Sequence, residues 1–150
     1  MYYKKKKKKP LFEKTSPKKR KVDLVKKLDK VFSLYIRLRD TSPSGFFRCI
    51  SCGQVKPFAK ADCGHYHSRK HMATRFSELN CNAECSSCNR FSSDHLHYYR
   101  ENLIKKIGEQ RFALLEIEAK RTKQWTDFEL EQLIIYYRAL CLKLKKEKGL

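Results

Sequence analysis

An α+β fold is expected of this sequence, on three observations. Apolar residues recur at helical spacing towards both ends of the chain. The stretch from Phe46 to Asp94 is instead rich in cysteine and histidine, with short strand-like pieces and few helix signals. Four cysteines stand as two tight pairs within that centre. At 150 residues the chain suits a single domain, read here as 23–150, and can bury only a modest core.

Residues 1–22 hold an unbroken lysine run from Lys4 to Lys9 and a second basic run from Lys18 to Lys21, with Pro10 and Pro17 between them. With almost no helix-period apolar residues, this segment is expected to be a disordered basic tail. Its string 17–22, Pro-Lys-Lys-Arg-Lys-Val, has the form of a nuclear localisation signal, a form that short basic runs also reach by chance. From Asp23, Leu24, Val25, Leu28, Val31, Phe32 and Tyr35 put one apolar stripe on a helix ending near Arg39. Asp40, Ser42, Pro43, Ser44 and Gly45 then make a turn. After the central 46–94 comes a helical part, 95–148. Leu96, Tyr99, Leu103 and Ile107 share a helix face, with Gly108 placed to cap its end. A shorter segment covers about Phe112 to Ala119. Thr126 and Glu129 make a capping box ahead of Leu130, Leu133, Ile134, Tyr137, Leu140 and Leu144. Trp125, Tyr136 and Tyr137 read as core packing.

Charge narrows the function. Lys and Arg number 35 against 16 acidic residues, a formal net charge of +19. Such self-repulsion is most simply relieved by a polyanion, so nucleic acid is the expected partner. No apolar run reaches the roughly 20 residues of a bilayer span, and the lysine-rich start is not a secretory signal. The seven cysteines, an odd number without an export signal, point to thiolates in a reducing compartment. Cys49 with Cys52, and Cys85 with Cys88, are C-x-x-C pairs whose tight turns suit one tetrahedral structural zinc. Cys63, Cys81 and Cys141 read as ordinary buried thiols.

Thirty-two residues separate the pairs, and zinc would hold this insert close to the residues after Cys88. The insert carries Asp62, Cys63, Gly64 and His65, and the next residue after Cys88 is Asn89. Asp62 and Asn89 offer oxygens to a Mg²⁺- or Mn²⁺-type ion that keeps positions open for a phosphate. A neutral His65 beside them could take a proton from water, which gives the parts for metal-assisted phosphodiester hydrolysis. His67, on the same strand face as His65, is the competing ligand. Arg69, Lys70, Arg75 and Arg90 are candidate DNA contacts; His71, His95 and His97 read as surface residues near phosphates.

The spacing of His65, Asn80 and Asn89 resembles the HNH (ββα-metal) nuclease motif in its H-N-N form. That resemblance implies a histidine ending a hairpin strand, an Asn pinning the hairpin loop, and a last Asn opening a helix and binding metal. A wider match joins Cys49 to Gly53, Asp62, Gly64, His65, Tyr66, Arg75, Phe76, Asn80, Cys85, Cys88 and Asn89, and continues through Tyr99, Leu103, Ile107, Gly108, Trp125 and Thr126. Over roughly Leu28 to Leu144 it resembles the lambdoid phage NinG (Rap) recombination endonucleases. The fold so implied is a zinc-stapled HNH core flanked by helices, with a disordered basic N-terminal tail. The activity implied is structure-specific cutting of branched DNA, of the D-loop or Holliday junction type, leaving a 5′-phosphate and a 3′-hydroxyl. Its setting would be the cytoplasm of a phage's or prophage's bacterial host. Symmetric cutting of a junction implies a homodimer. Two departures stand out. Ser93, Asp94 and His95 replace the family's usual Ser-Gly-Asn, and Gly64 occupies the position before the histidine where many HNH enzymes carry their acidic ligand. The competing expectation is a zinc-containing DNA-binding module without catalysis, which has no need of His65, Asn80 and Asn89 together.

Overall fold

The computed structural model describes residues 17–150, with side chains from Lys21 onward. The first helix, α1, spans Pro17–Asp40, starting six residues before the expected onset at Asp23. A proline fits the first helical turn, where its missing N–H is no loss, and lysine and arginine are good helix formers. The basic string at 17–22 therefore begins a helix, contrary to the expected tail; the rest of that tail, 1–16, lies outside the described residues.

The centre is built from short strands. β1 (Phe46–Arg48) pairs antiparallel with β2 (Val55–Pro57), and a single 3₁₀ turn at Phe58–Lys60 leads into β3 (Ala61–His65). β3 pairs antiparallel with β4 (Cys81–Cys85) in a register that sets Asp62 opposite Glu84 and His65 opposite Cys81. Four helices come next: α2 (Ser86–Phe91), α3 (His95–Ile107), α4 (Glu109–Ala119) and α5 (Asp127–Lys148). The described chain is thus a mixed α+β fold of five helices and two small sheets.

The helix ends match their local chemistry. Gly108 has φ 83°, accessible to glycine at little cost, and divides α3 from α4. Thr126 and Glu129 form the capping box that starts α5. α1 and α5, the two ends of the described fold, pack together. Leu28, Phe32, Tyr35, Ile36 and Leu38 meet Leu130, Ile134, Tyr137 and Cys141, with Phe76 and Trp125 alongside. Complete burial of Leu28, Phe32 and Ile36 stabilises the pair by about 1.5–3 kcal/mol for each side chain. Phe32 lies edge-on to Phe76 and Tyr137, with ring centroids at 5.8 and 4.9 Å. Tyr136, expected in this core, is exposed, because it sits one residue round the helix from the buried Tyr137. None of the described helices is long and apolar enough to cross a membrane.

The β3–β4 hairpin lies between two layers. Cys63 and Cys81 join the α1–α5 core on one side, while α2 and α3 supply Asn89 and His95 to the other.

Candidate functional site

The paired cysteines converge. Cys49 comes directly after β1, and the turn to Cys52 closes when the Gly53 N–H donates to the Cys49 carbonyl at 2.9 Å; Gly53 takes φ 70° there. Cys85 ends β4 and Cys88 lies one turn into α2. The four sulfurs all lie within 4.8 Å of one another. The Cys85 N–H donates to the Cys49 sulfur at 3.3 Å, a bond of the kind that orients thiolate ligands. Burial pushes the Cys49 thiol up to about 11, and burial with the crowding of neighbouring thiols pushes Cys88 higher. Burial works against ionising Cys85 too, but Ser87 and Cys88 bring it down to about 7. Four thiols this close can all ionise only if a cation compensates them, and the donor set fits tetrahedral zinc.

Side chains alternate along β3, so Asp62 and Gly64 face one side while Cys63 and His65 face the other. On the first side, Asn89 donates to Asp62 at 3.1 Å and Arg90 grips the same carboxylate at 2.7 and 2.9 Å. The Arg90 guanidinium, against some burial, holds Asp62 below the usual carboxylate range. Across the ladder stands Glu84, fully buried. Its Oε1 accepts from Ser51 and lies 2.8 Å from His95 Nδ1, while its Oε2 is buried with no hydrogen-bond partner. That carboxyl group occupies the space over Gly64: a Cβ at residue 64 would overlap Glu84 Oε2. The unpartnered Glu84 oxygen, across the ladder from Asp62, is a donor of the kind a hard divalent ion takes.

His65 ends β3 as expected, but its ring lies on the face opposite Asp62 and Asn89. The expected pocket uniting all three is not assembled, because an offset of three residues along a strand reverses the face. The two ring nitrogens of His65 lie 3.2 Å from the carbonyl oxygens of Cys63 and Arg75. Burial, then the Arg69 charge, holds the imidazole below its ordinary pKa, so it is neutral at pH 7. Asn80 is fully buried and ties the hairpin loop: its Oδ1 accepts from the His67 N–H at 2.7 Å, and its Nδ2 donates to the carbonyls of His67 at 2.9 Å and Thr74 at 3.1 Å.

Other candidates take different roles. His67 Nε2 lies 2.9 Å from Glu116 Oε1 on α4, an ion-pair contact outside hydrogen-bond geometry, so it is directed away from the acidic face. Arg75 forks onto Asp29 of α1 at 3.0 and 2.6 Å, which ties the loop to the helix. Arg75 is therefore engaged within the chain, whereas Arg90, though paired with Asp62, keeps a side chain 60% exposed, and Arg69 and Lys70 are exposed in the hairpin loop. Glu84 has no place in the site as read from the sequence, and His95 enters there only as a substitute in the family's Ser-Gly-Asn turn. The only local signal is His95 at the family's Asn position; Glu84 emerges from the strand register.

The profile of the family described as "Bacteriophage Lambda NinG protein" matches residues 2–147. Similar curated proteins are "Protein ninG" of Escherichia phage lambda, 31% identical over 127 residues, and that of Escherichia phage 933W, also 31% over 127. Each alignment covers 83% of this chain, but only 59% and 60% of the relative. "Protein ninG" of Enterobacteria phage H19B is 34% identical over 104 residues, covering 68% of this chain and 48% of that protein. The chain thus spans about three fifths of the first two relatives' length. No solved structure matches it. The family profile over nearly the whole chain and the shared identity agree: this chain belongs to the NinG family of lambdoid phage proteins.

Proposed function

We propose that this protein is a metal-dependent DNA endonuclease, acting on branched recombination intermediates of the D-loop or Holliday junction type. The observation that carries the reading is the Glu84 carboxyl group, whose unpartnered oxygen fills the space over Gly64 next to His65. On this reading Glu84, from the neighbouring strand, would stand in for the acidic ligand absent from position 64.

Glu84, Asn89 and Asp62 would hold a Mg²⁺ or Mn²⁺ ion on this face, with His95 orienting Glu84. Such an ion polarises the scissile phosphate and stabilises the leaving oxygen. His65, neutral at pH 7, accepts the proton of the attacking water. Gly64 and His65 are consecutive at the end of β3 but face opposite sides, so the imidazole and the acidic group reach one phosphate only if it sits at the open end of the strand. Asn80 fixes the loop after His65. Cys49, Cys52, Cys85 and Cys88 would hold a zinc ion that ties β1, β4 and α2 together and has no part in the reaction. Arg69 and Lys70, with the chain's net charge of +19, attract the DNA backbone.

The resemblance to H-N-N nucleases supports the reaction type, and the resemblance to the NinG recombination endonucleases is what supports branched DNA as the substrate. The test is incubation with labelled linear, single-stranded and four-way-junction DNA, with and without Mg²⁺ or Mn²⁺. Ion-dependent cutting favouring the junction is expected. Binding without cutting under any divalent ion leaves a zinc-containing DNA-binding module instead.

A further inference from the structure

The other face of the hairpin carries, beside His65, two buried thiols that the proposed reaction does not use. Cys81 lies directly across the ladder from His65 and diagonally from Cys63, so all three point to one side. A ligand atom from each lies within 4.8 Å of the other two. Both thiols are buried, Cys63 5% exposed and Cys81 0%. In a tetrahedral zinc site, with Zn–S about 2.3 Å and Zn–N about 2.0 Å, ligand atoms stand roughly 3.3–3.8 Å apart. The cluster needs only small side-chain movements to reach that spacing.

From this geometry we infer that Cys63, His65 and Cys81 form a second metal site, taking Zn²⁺ or a similarly thiophilic ion, and that its occupancy switches off His65. Two thiolates and an imidazole select a soft or borderline metal over magnesium, so the site does not compete for the ion of the acidic face. A neutral imidazole can donate to only one of the two carbonyls facing it, Cys63 or Arg75, so a turn of the ring off the other carbonyl frees that nitrogen's lone pair for the metal. A ring N–H held by a backbone carbonyl is the usual support of a metal-bound histidine. Binding releases the two thiol protons, and three protein ligands leave one position for water. The metal takes the lone pair that would otherwise accept the proton of the attacking water. This regulatory half rests on the proposed role of His65; the metal site itself does not.

The test is zinc stoichiometry of the full chain after equilibration with Zn²⁺ in a non-chelating reductant. The wild type should hold about two ions, one on the four cysteines and one here. Cys63→Ala should hold about one, while Cys141→Ala, a thiol in the helical core, should still hold about two. His65→Ala, which leaves both buried thiols in place, repeats the count should Cys63→Ala misfold. In parallel, Zn²⁺ added to Mg²⁺-driven cleavage should slow the wild type by about tenfold or more and leave Cys63→Ala unaffected. A wild type with a single zinc overturns the site, as does one that loses two hydrogen masses to a Cys63–Cys81 disulfide in place of metal. A second zinc that vanishes with Cys63 but leaves cleavage unchanged upholds the site and overturns its control of His65.

Discussion

Gly64 and Glu84 show how one residue's identity is set by its partner across a sheet. A Cβ on residue 64 would overlap Glu84 Oε2 and meet Glu84 Cβ at 2.9 Å, neither of which is an ordinary contact. Gly64→Ala is therefore expected to displace the carboxyl group and lower cleavage by at least about tenfold, with thermal stability falling by about 1–3 kcal/mol; a kinetic assay beside a melting curve checks both. Glu84→Gln keeps the shape and removes the charge. It should raise the Mg²⁺ concentration needed for half-maximal cleavage, with partial recovery at high Mg²⁺, because a lost ligand weakens ion affinity rather than removing the base. An unchanged Mg²⁺ dependence would place the ion elsewhere. His65, Asn80 and the four paired cysteines are legible in the sequence because their spacing is local and their chemistry distinctive. Glu84 is not, since a cross-strand partner is fixed by register, and a slip of one residue would put Ala83 or Cys85 beside Asp62. Arg75 reads as a DNA contact for the same kind of reason: Asp29, which claims it, lies 46 residues away.

At the scale of elements, helix periods and caps are the most readable features. Gly108, the Thr126 and Glu129 capping box and the apolar stripe from Leu24 to Tyr35 all match observed helices. The early start of α1 is hidden because two prolines and a basic run argue for disorder in isolation, whereas Pro17 at a first turn is compatible with a helix. The end of α1 is joined to the hairpin by Asp40, which accepts from Arg39, from the Ala83 N–H at 2.8 Å and from Lys106 of α3 at 3.3 Å. Burial disfavours its charge, but Arg39, Lys106 and the amide outweigh this and hold its pKa below the carboxylate norm. A depressed folded-state value means that the stabilisation is present above the unfolded pKa of about 3.9 and is lost as pH falls through the folded value. Asp40→Asn should therefore lower stability at neutral pH and flatten its fall below about pH 4, as read by denaturant titrations across pH. The zinc elements should behave differently. Cys52→Ser or Cys88→Ser should release the metal and loosen β1, β2 and the hairpin, because the sheets are short and no large core backs the cysteine end. Metal analysis with circular dichroism checks this; a folded wild type that contains no zinc contradicts it.

For the whole molecule, the proposed function makes the net charge of +19 the dominant force in the approach to DNA. Affinity should fall steeply with salt, log K against log salt having a slope of about −0.9 per neutralised phosphate. Removing residues 1–16, which include the six-lysine run, should flatten that slope without abolishing cleavage at low salt. An unchanged slope means that those lysines do not touch DNA. Charge alone cannot separate a nuclease from a binder, and that separation is the central claim. It is tested most directly by the single-turnover cleavage rate of His65→Ala beside wild type on one labelled four-way junction with Mg²⁺, with DNA affinity measured on the same samples. The expected result is affinity within a few-fold and cleavage lower by about 10²–10⁴. Equal rates for the two proteins would contradict the role given to His65.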